Sequence, residues 1–158
     1  MGLKIESQEL FNNEEILLER KANLMINIKD FGLKKMDFYL FQKEEAIGGK
    51  LYVTNYRLIF KPHLVNWVKG TFSLMLPSIL STRDTTVLLS KKMTVDTNSH
   101  SYEFVVWKRE ELMNTIETLK RKLSHEDLRY LNELTHGQQL SKFTEMDQIL
   151  KIFFNLAK

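Results

Sequence analysis

The stretch GGKLYVTNYRLIF, from Gly48 to Phe60, keeps a strict alternation on both sides of a short polar break. Leu51 and Val53 alternate with Lys50, Tyr52 and Thr54, and Leu58 and Phe60 alternate with Arg57, Ile59 and Lys61. A period of two turns successive side chains to opposite faces, so the stretch predicts a β-hairpin with one apolar face. A two-residue loop at Thr54–Asn55 sets Val53 opposite Tyr56, Tyr52 opposite Arg57 and Leu51 opposite Leu58, which keeps the apolar set together. Asn55 tolerates the positive φ of a tight turn, and Gly48–Gly49 reads as a flexible lead-in or bulge. This pattern belongs to an antiparallel sheet that lays one face on a core and the other in water.

Other segments extend the sheet. NNEEILLERKANLMIN predicts a strand from about Ile16 to Ile28, with a helix as the alternative, and the aromatic-rich KKMDFYLFQKEEAI reads as a strand or a structured insertion. HLVNWVKGTF is a connection or strand edge, and FSLMLPSILSTRD reads as a strand interrupted by Pro77, as an edge or bulge allows. TTVLLSKKMTV and SYEFVVW form a second hairpin around the turn-forming DTNSH, bringing the expected total to six or seven strands. In the last of these, Tyr102, Phe104 and Val106 alternate as packing residues do, while Val105 and Trp107 suggest that the opposite face is partly covered as well.

The period then changes from two to 3.6. In KREELMNTIETLKRKL, Leu112, Ile116, Leu119 and Leu123 are spaced four, three and four apart, one stripe of an amphipathic helix. Glu110 and Glu111 begin it and Lys120, Arg121 and Lys122 end it, the polarity the helix dipole favours. Ser124 and Asp127 suggest a cap for a second helix, HEDLRYLNEL. After Gly137, Phe143, Met146, Ile149, Leu150, Phe153 and Leu156 give a third helix a one-sided apolar stripe that needs a surface to cover it.

Three motifs in this order resemble the GRAM domain, the branch of the pleckstrin-homology-like superfamily found in myotubularins and in many small bacterial proteins. GGKLYVTNYRLIFKPH resembles the family hairpin, LPSI at Leu76–Ile79 its I-P-L-x-x-I strand, and YEFVVWKREELMNTI its closing strand and helix. The resemblance spans about residues 14–122. It implies an α+β fold: a strongly bent antiparallel sheet or barrel of about seven strands capped by a C-terminal helix. The expected organisation is thus a GRAM domain over residues 1–122 and a helical extension over 123–158 that packs on the domain or on a partner. The resemblance also implies a docking module without catalysis, since some members bind phosphoinositides or other anionic lipids and some bind proteins. About twenty residues between first strand and hairpin, including KDFGLKKMDFYLFQKEE, depart from the family pattern.

Composition narrows the function classes. The 158 residues contain no cysteine, which excludes disulfides, thiolate zinc sites and cysteine nucleophiles and favours a reducing cytoplasm. No signal-peptide core and no apolar run near the ~20 residues of a membrane span occur, so a soluble cytoplasmic protein is expected, with peripheral attachment at the inner membrane face if it docks on lipid. The net charge of +3 is unevenly placed: residues 1–30 hold 4 basic and 6 acidic groups, residues 31–110 hold 12 and 7, and residues 111–158 hold 7 of each. A cationic middle suits an anionic partner, although a solvated surface has the same signature.

Candidate contacts follow from the pattern. Lys50, Arg57 and Lys61 fall on the polar face of the hairpin, flanked by Lys43 and Lys69, and form the expected lipid- or phosphate-binding group. Leu64 and Trp67, in an apolar loop with basic flanks, are the expected membrane contacts. Phe143, Met146, Ile149, Leu150 and Phe153 are the expected contacts for a protein partner or a second copy of the chain. The four histidines show no metal-ligand spacing, no nucleophile elbow or phosphate-cradling glycine loop occurs, and basic residues form no nucleic-acid-binding run. No catalytic residue, metal, cofactor or nucleic-acid partner is therefore expected. The acid pairs Glu14–Glu15 and Glu44–Glu45 read as solvated.

Overall fold

The computed structural model describes residues 4–27, 44–63, 72–98 and 100–136. Seven strands, β1 (Ile16–Asn27), β2 (Glu44–Thr54), β3 (Arg57–Pro62), β4 (Phe72–Met75), β5 (Ile79–Asp84), β6 (Lys92–Thr97) and β7 (Ser101–Val106), precede two helices, α1 (Arg109–Lys122) and α2 (His125–His136). The strands form one antiparallel sheet in the order β4-β3-β2-β1-β7-β6-β5. Its two edge strands, β4 and β5, are consecutive in the chain and are joined by a single 3-10 turn, Leu76–Ser78, that contains Pro77. So short a link requires the sheet to curl until its edges approach. The described strands do not close, however, and the architecture is an open bent sheet rather than a barrel. Pro77 ends a strand here instead of interrupting one, because its fixed φ suits the turn and it has no N–H for a ladder.

The concave face carries the core. Leu24, Ile47, Leu51, Val53, Leu58, Phe60, Met93, Val95, Phe104 and Val106 pack there with Leu112 and Ile116 of α1. α1 touches β5, the Leu76–Ser78 turn and β2, so its apolar stripe covers the open side of the curl. Burying its two fully enclosed residues contributes about 1.5–3 kcal/mol each. Arg109 Nε lies 2.7 Å from Asp84 Oδ2 and fixes the start of α1 to the end of β5. The Arg109 guanidinium, and after it the Thr86 hydroxyl and N–H, hold the Asp84 carboxyl well below the usual carboxylate range.

The hairpin turn is Asn55–Tyr56, one residue later than expected, with Val53 opposite Leu58, Tyr52 opposite Ile59, Leu51 opposite Phe60 and Lys50 opposite Lys61. The cause is local. Thr54 Oγ1 accepts the Tyr56 and Arg57 N–H groups at 3.1 and 2.9 Å, while Asn55 accepts the Glu15 N–H at 2.8 Å and donates to Asn13 O at 2.9 Å. A loop shifted by one residue changes each partner by two, so the apolar set keeps its face. Tyr56 instead joins a second apolar cluster with Phe11, Met75, Leu131 and Leu134. This cluster seats α2, whose start is capped by Ser124 Oγ accepting the Asp127 N–H at 3.0 Å.

Two further expectations change. Gly48 and Gly49 make no bulge; they lie inside β2, opposite Asn23 and Ala22. Gly49 is required by close approach, since a Cβ there would lie 2.5 Å from Lys61 O and 2.7 Å from Phe60 Cζ. Val87, Leu88 and Leu89 belong to a turn between β5 and β6 rather than to a strand, and Trp107 is exposed rather than covered.

Asp96 ties three strands together. Its carboxylate accepts Arg83 Nε and Nη2 at 2.6 and 3.0 Å, Ser81 Oγ at 2.9 Å and Ser101 Oγ at 2.6 Å, and the Arg83 bond above all holds its pKa well below the ordinary value. A carboxyl with a depressed folded-state pKa stabilises fully above its unfolded value, near about 4, and loses that contribution as the pH falls toward the folded value. Asp96→Asn is therefore expected to lower Tm at pH 7 while flattening the decline in Tm below pH 4, as read by circular dichroism melts.

Candidate functional site on the outer face of the hairpin

Residues opposite one another in the ladder share a face, so the register arranges the convex side of β1, β2 and β3 in rows. Nearest the turn is Arg57 beside Thr54. Glu19, Tyr52 and Ile59 follow, then Lys21, Lys50 and Lys61, then Asn23 and Gly48, with the His63 N–H bonded to Gly48 O at 2.8 Å. The last row has no side chain at its centre, and Asn23 Oδ1 and His63 Cδ2 lean over the space a Gly48 Cβ would occupy, at 3.4 and 3.5 Å from it.

Arg57, Thr54, Tyr52 and Ile59 of the first two rows are buried, with residues 9–14 bonded over Arg57, while Glu19 at the β1 end of the second row is exposed. Arg57 is 0% exposed. Its Nε donates to Glu14 Oε1 at 2.8 Å, its Nη2 to Glu14 Oε2 at 3.1 Å and to Glu9 O, and its Nη1 to Ser73 Oγ at 3.0 Å. The Phe11 ring stacks on the guanidinium, with Cζ 4.2 Å from the ring centroid. Glu14 is equally committed, accepting the Phe11 N–H at 2.7 Å and Thr54 Oγ1–H at 2.8 Å. A fork-to-fork pair with its remaining lone pairs satisfied is the arrangement that keeps two charges tolerable out of water. Beside it, burial and then the Glu19 and Glu9 charges push the Tyr52 phenol up to about 12.

The expectation that Arg57 stands on a solvated face with Lys50 and Lys61 is corrected. It does share their face, but the N-terminal segment covers that half of it and turns the arginine into an internal clamp. The expectation that Glu14 is solvated fails for the same reason. Lys61 Nζ bonds Glu9 Oε2 at 2.8 Å and Lys4 O at 2.8 Å, and Lys50 Nζ lies 3.2 Å from Glu19 Oε1. Both lysines remain partly accessible at the margin of the cover. Lys21 is exposed and forms no ion pair among the described residues. Lys43, Lys69, Leu64 and Trp67 lie outside the described residues, as do Phe143, Met146, Ile149, Leu150 and Phe153 and the aromatic segment before β2; the side chains of Glu44 and Glu45 do so too.

Lys21, Asn23 and His63 complete the outer face and were not among the expected contacts. Their signal was present in β1, where Glu19, Lys21 and Asn23 alternate with Leu18, Arg20, Ala22 and Leu24. Only the pairing of β1 with β2 reveals that this polar set continues the row of the hairpin.

An open, strongly bent antiparallel sheet with a helix across its mouth defines a pleckstrin-homology-like fold. The GRAM domain family model matches residues 5–126, and the chain belongs to that family. Among solved structures, the C-terminal domain of an unknown protein from Leishmania infantum matches with a TM-score of 0.50 at 14% identity, covering 70% of this chain and 88% of that one. The linker-DH/PH domains of p115-RhoGEF match with a TM-score of 0.51 at 13% identity, over 72% of this chain and 31% of that one. The Vps36 N-terminal PH domain matches with a TM-score of 0.49 at 11% identity, over 71% and 83%. A search of curated proteins returns no sequence relative. Domains of this class are commonly lipid- or protein-interaction modules and are typically noncatalytic.

Proposed function

We propose that the chain is a noncatalytic docking module that sets the convex face of β1–β3 on an anionic membrane. The observation that carries this reading is the row Lys21–Lys50–Lys61, three lysines in register on three adjacent strands. Like charges directly opposite one another are unfavourable in a sheet, and among the described residues only two of these have a carboxylate partner. An anionic surface relieves the repulsion, and each lysine close to such a surface contributes about 1 kcal/mol. His63 and Asn23 border the row and add polar groups beside the shallow space over Gly48. Among the described residues no helix is long and apolar enough to cross a membrane, so attachment through this face is peripheral. The corresponding location is the cytoplasm and the inner membrane face.

Cosedimentation with phosphatidylcholine vesicles, with and without phosphatidylserine, tests the reading. Binding is expected only to the anionic vesicles and is expected to weaken steeply with salt. Lys21→Gln with Lys50→Gln is expected to reduce it about thirtyfold, from two lost contributions of about 1 kcal/mol, with Tm within a few degrees of the parent. Equal binding by the double variant, or none by the parent at low salt, contradicts it.

A further inference from the structure

The largest exposure of apolar side chains among the described residues lies away from the lysine row, at the tip of the β5–β6 hairpin. Val87 and Ser90 exchange backbone hydrogen bonds at 3.2 and 3.0 Å, leaving Leu88 and Leu89 as a two-residue turn. Leu88 is 92% exposed and Leu89 95%. Leu88 also has φ 53, in the left-handed region that turns ordinarily give to Gly or Asn. Water and backbone geometry thus both disfavour leucine at position 88, and folding offers no account of it. Such outliers are retained where another task requires them.

A second segment places an exposed aromatic beside this tip. The Val106 N–H donates to Lys91 O at 2.9 Å, and Ala22 pairs with Val106. Trp107, 74% exposed, directly follows Val106 where the chain turns out of β7, next to the residue that pairs with Ala22 and bonds Lys91. Several charges in the area are already engaged: Arg83 with Asp96, Lys92 with Glu103 and Arg109 with Asp84. Lys21, Lys91 and Lys108 form no ion pair among the described residues, and Glu110 is the exposed acid beside them. The charge left at this rim is cationic.

A protruding turn offers no groove to a peptide. Two leucines at its apex, a tryptophan at its base and cations around both fit the interfacial layer of an anionic bilayer, where apolar tips enter the acyl boundary and tryptophan sits at headgroup level. We propose that Leu88 and Leu89 insert into the bilayer on which the lysine row docks, with Trp107 at the interface. This rests on the docking reading above and adds an apolar anchor to it.

The test uses the full chain in a Trp67→Phe background, which leaves Trp107 as the single tryptophan. On phosphatidylcholine vesicles containing phosphatidylserine, Trp107 emission is expected to shift to the blue and to be quenched by lipids brominated on the acyl chain. Leu88→Asn with Leu89→Ser is expected to lower partitioning about tenfold. Because Asn accepts the backbone of position 88 more readily than Leu, the Tm of this variant is expected to stay level or rise by about 3 °C. A parent that binds these vesicles while the variant binds equally and Trp107 remains unquenched overturns insertion and leaves docking intact. A parent that binds no vesicle at low salt overturns both. A concentration-dependent dimer in light scattering, lost in the leucine variant and accompanied by no quenching, assigns the tip to a second copy of the chain and also overturns insertion.

Discussion

Arg57→Ala is expected to destabilise the protein by about 3–5 kcal/mol, the cost of leaving a buried charge without its partner. The variant strands Glu14 in a site where both carboxylate oxygens are buried, removes the donors that reach Ser73 and Glu9, and leaves the Phe11 ring without the cation on which it stacks. A loss of this size is a large share of the stability of a domain, so the circular dichroism melt should shift far downward or vanish. Glu14→Ala is expected to cost a similar amount. The double variant Arg57→Met with Glu14→Leu, which removes both charges and fills the volume, is expected to recover most of the loss. A single variant that melts with the parent would show that the N-terminal segment is not held by this pair.

The second large effect belongs to Gly49. A methyl group there meets Lys61 O at 2.5 Å and Pro62 Cα at 2.9 Å, both backbone atoms of the paired strand, as well as the Phe60 ring at 2.7 Å. Backbone does not rotate aside as a flexible side chain does, so Gly49→Ala must lift β3 from β2 and is expected to cost about 3 kcal/mol, the upper end for overpacking. Gly48→Ala is the control, because its nearest neighbours lie at 3.4 and 3.5 Å, ordinary contact distances. Relief of glycine's backbone entropy makes that substitution neutral or slightly stabilising, by up to about 0.5 kcal/mol. Urea denaturation of the pair, read as midpoints, separates the two positions.

What could be read from the chain alone, and what could not, divides by the range of the interactions. The alternation from Leu51 to Phe60 and the stripe Leu112–Ile116 are local periodicities, and both occur in the core as expected. Parity is insensitive to where the hairpin turns, because moving the loop by one residue leaves each side chain on its face. The burial of Arg57 was not legible, since nothing near it in sequence signals that Glu14, 43 residues away, covers it. The one trace was the excess of acids in the first thirty residues against the cationic middle, which identified opposite charges without their pairing. Leu88 and Leu89 misled for a related reason. Their run of apolar residues has the composition of a strand, but the hydrogen bonds between Val87 and Ser90 close a turn there, and no local rule predicts leucine at positive φ. Lys21 was hidden by its position on a strand whose partner only the register identifies.

The central claim is that the outer face built on Lys21, Lys50 and Lys61 seats on anionic lipid. It is tested most directly by amide chemical-shift mapping of the ¹⁵N-labelled protein titrated with phosphatidylserine-containing bicelles. The account predicts shifts concentrated at Lys21, Asn23, Lys50, Lys61 and His63, joined by Leu88, Leu89 and Trp107 where the hairpin tip inserts, suppressed by salt and missing with purely phosphatidylcholine bicelles. Shifts confined to the exposed faces of α1 and α2, or an unchanged spectrum at low salt, would contradict it.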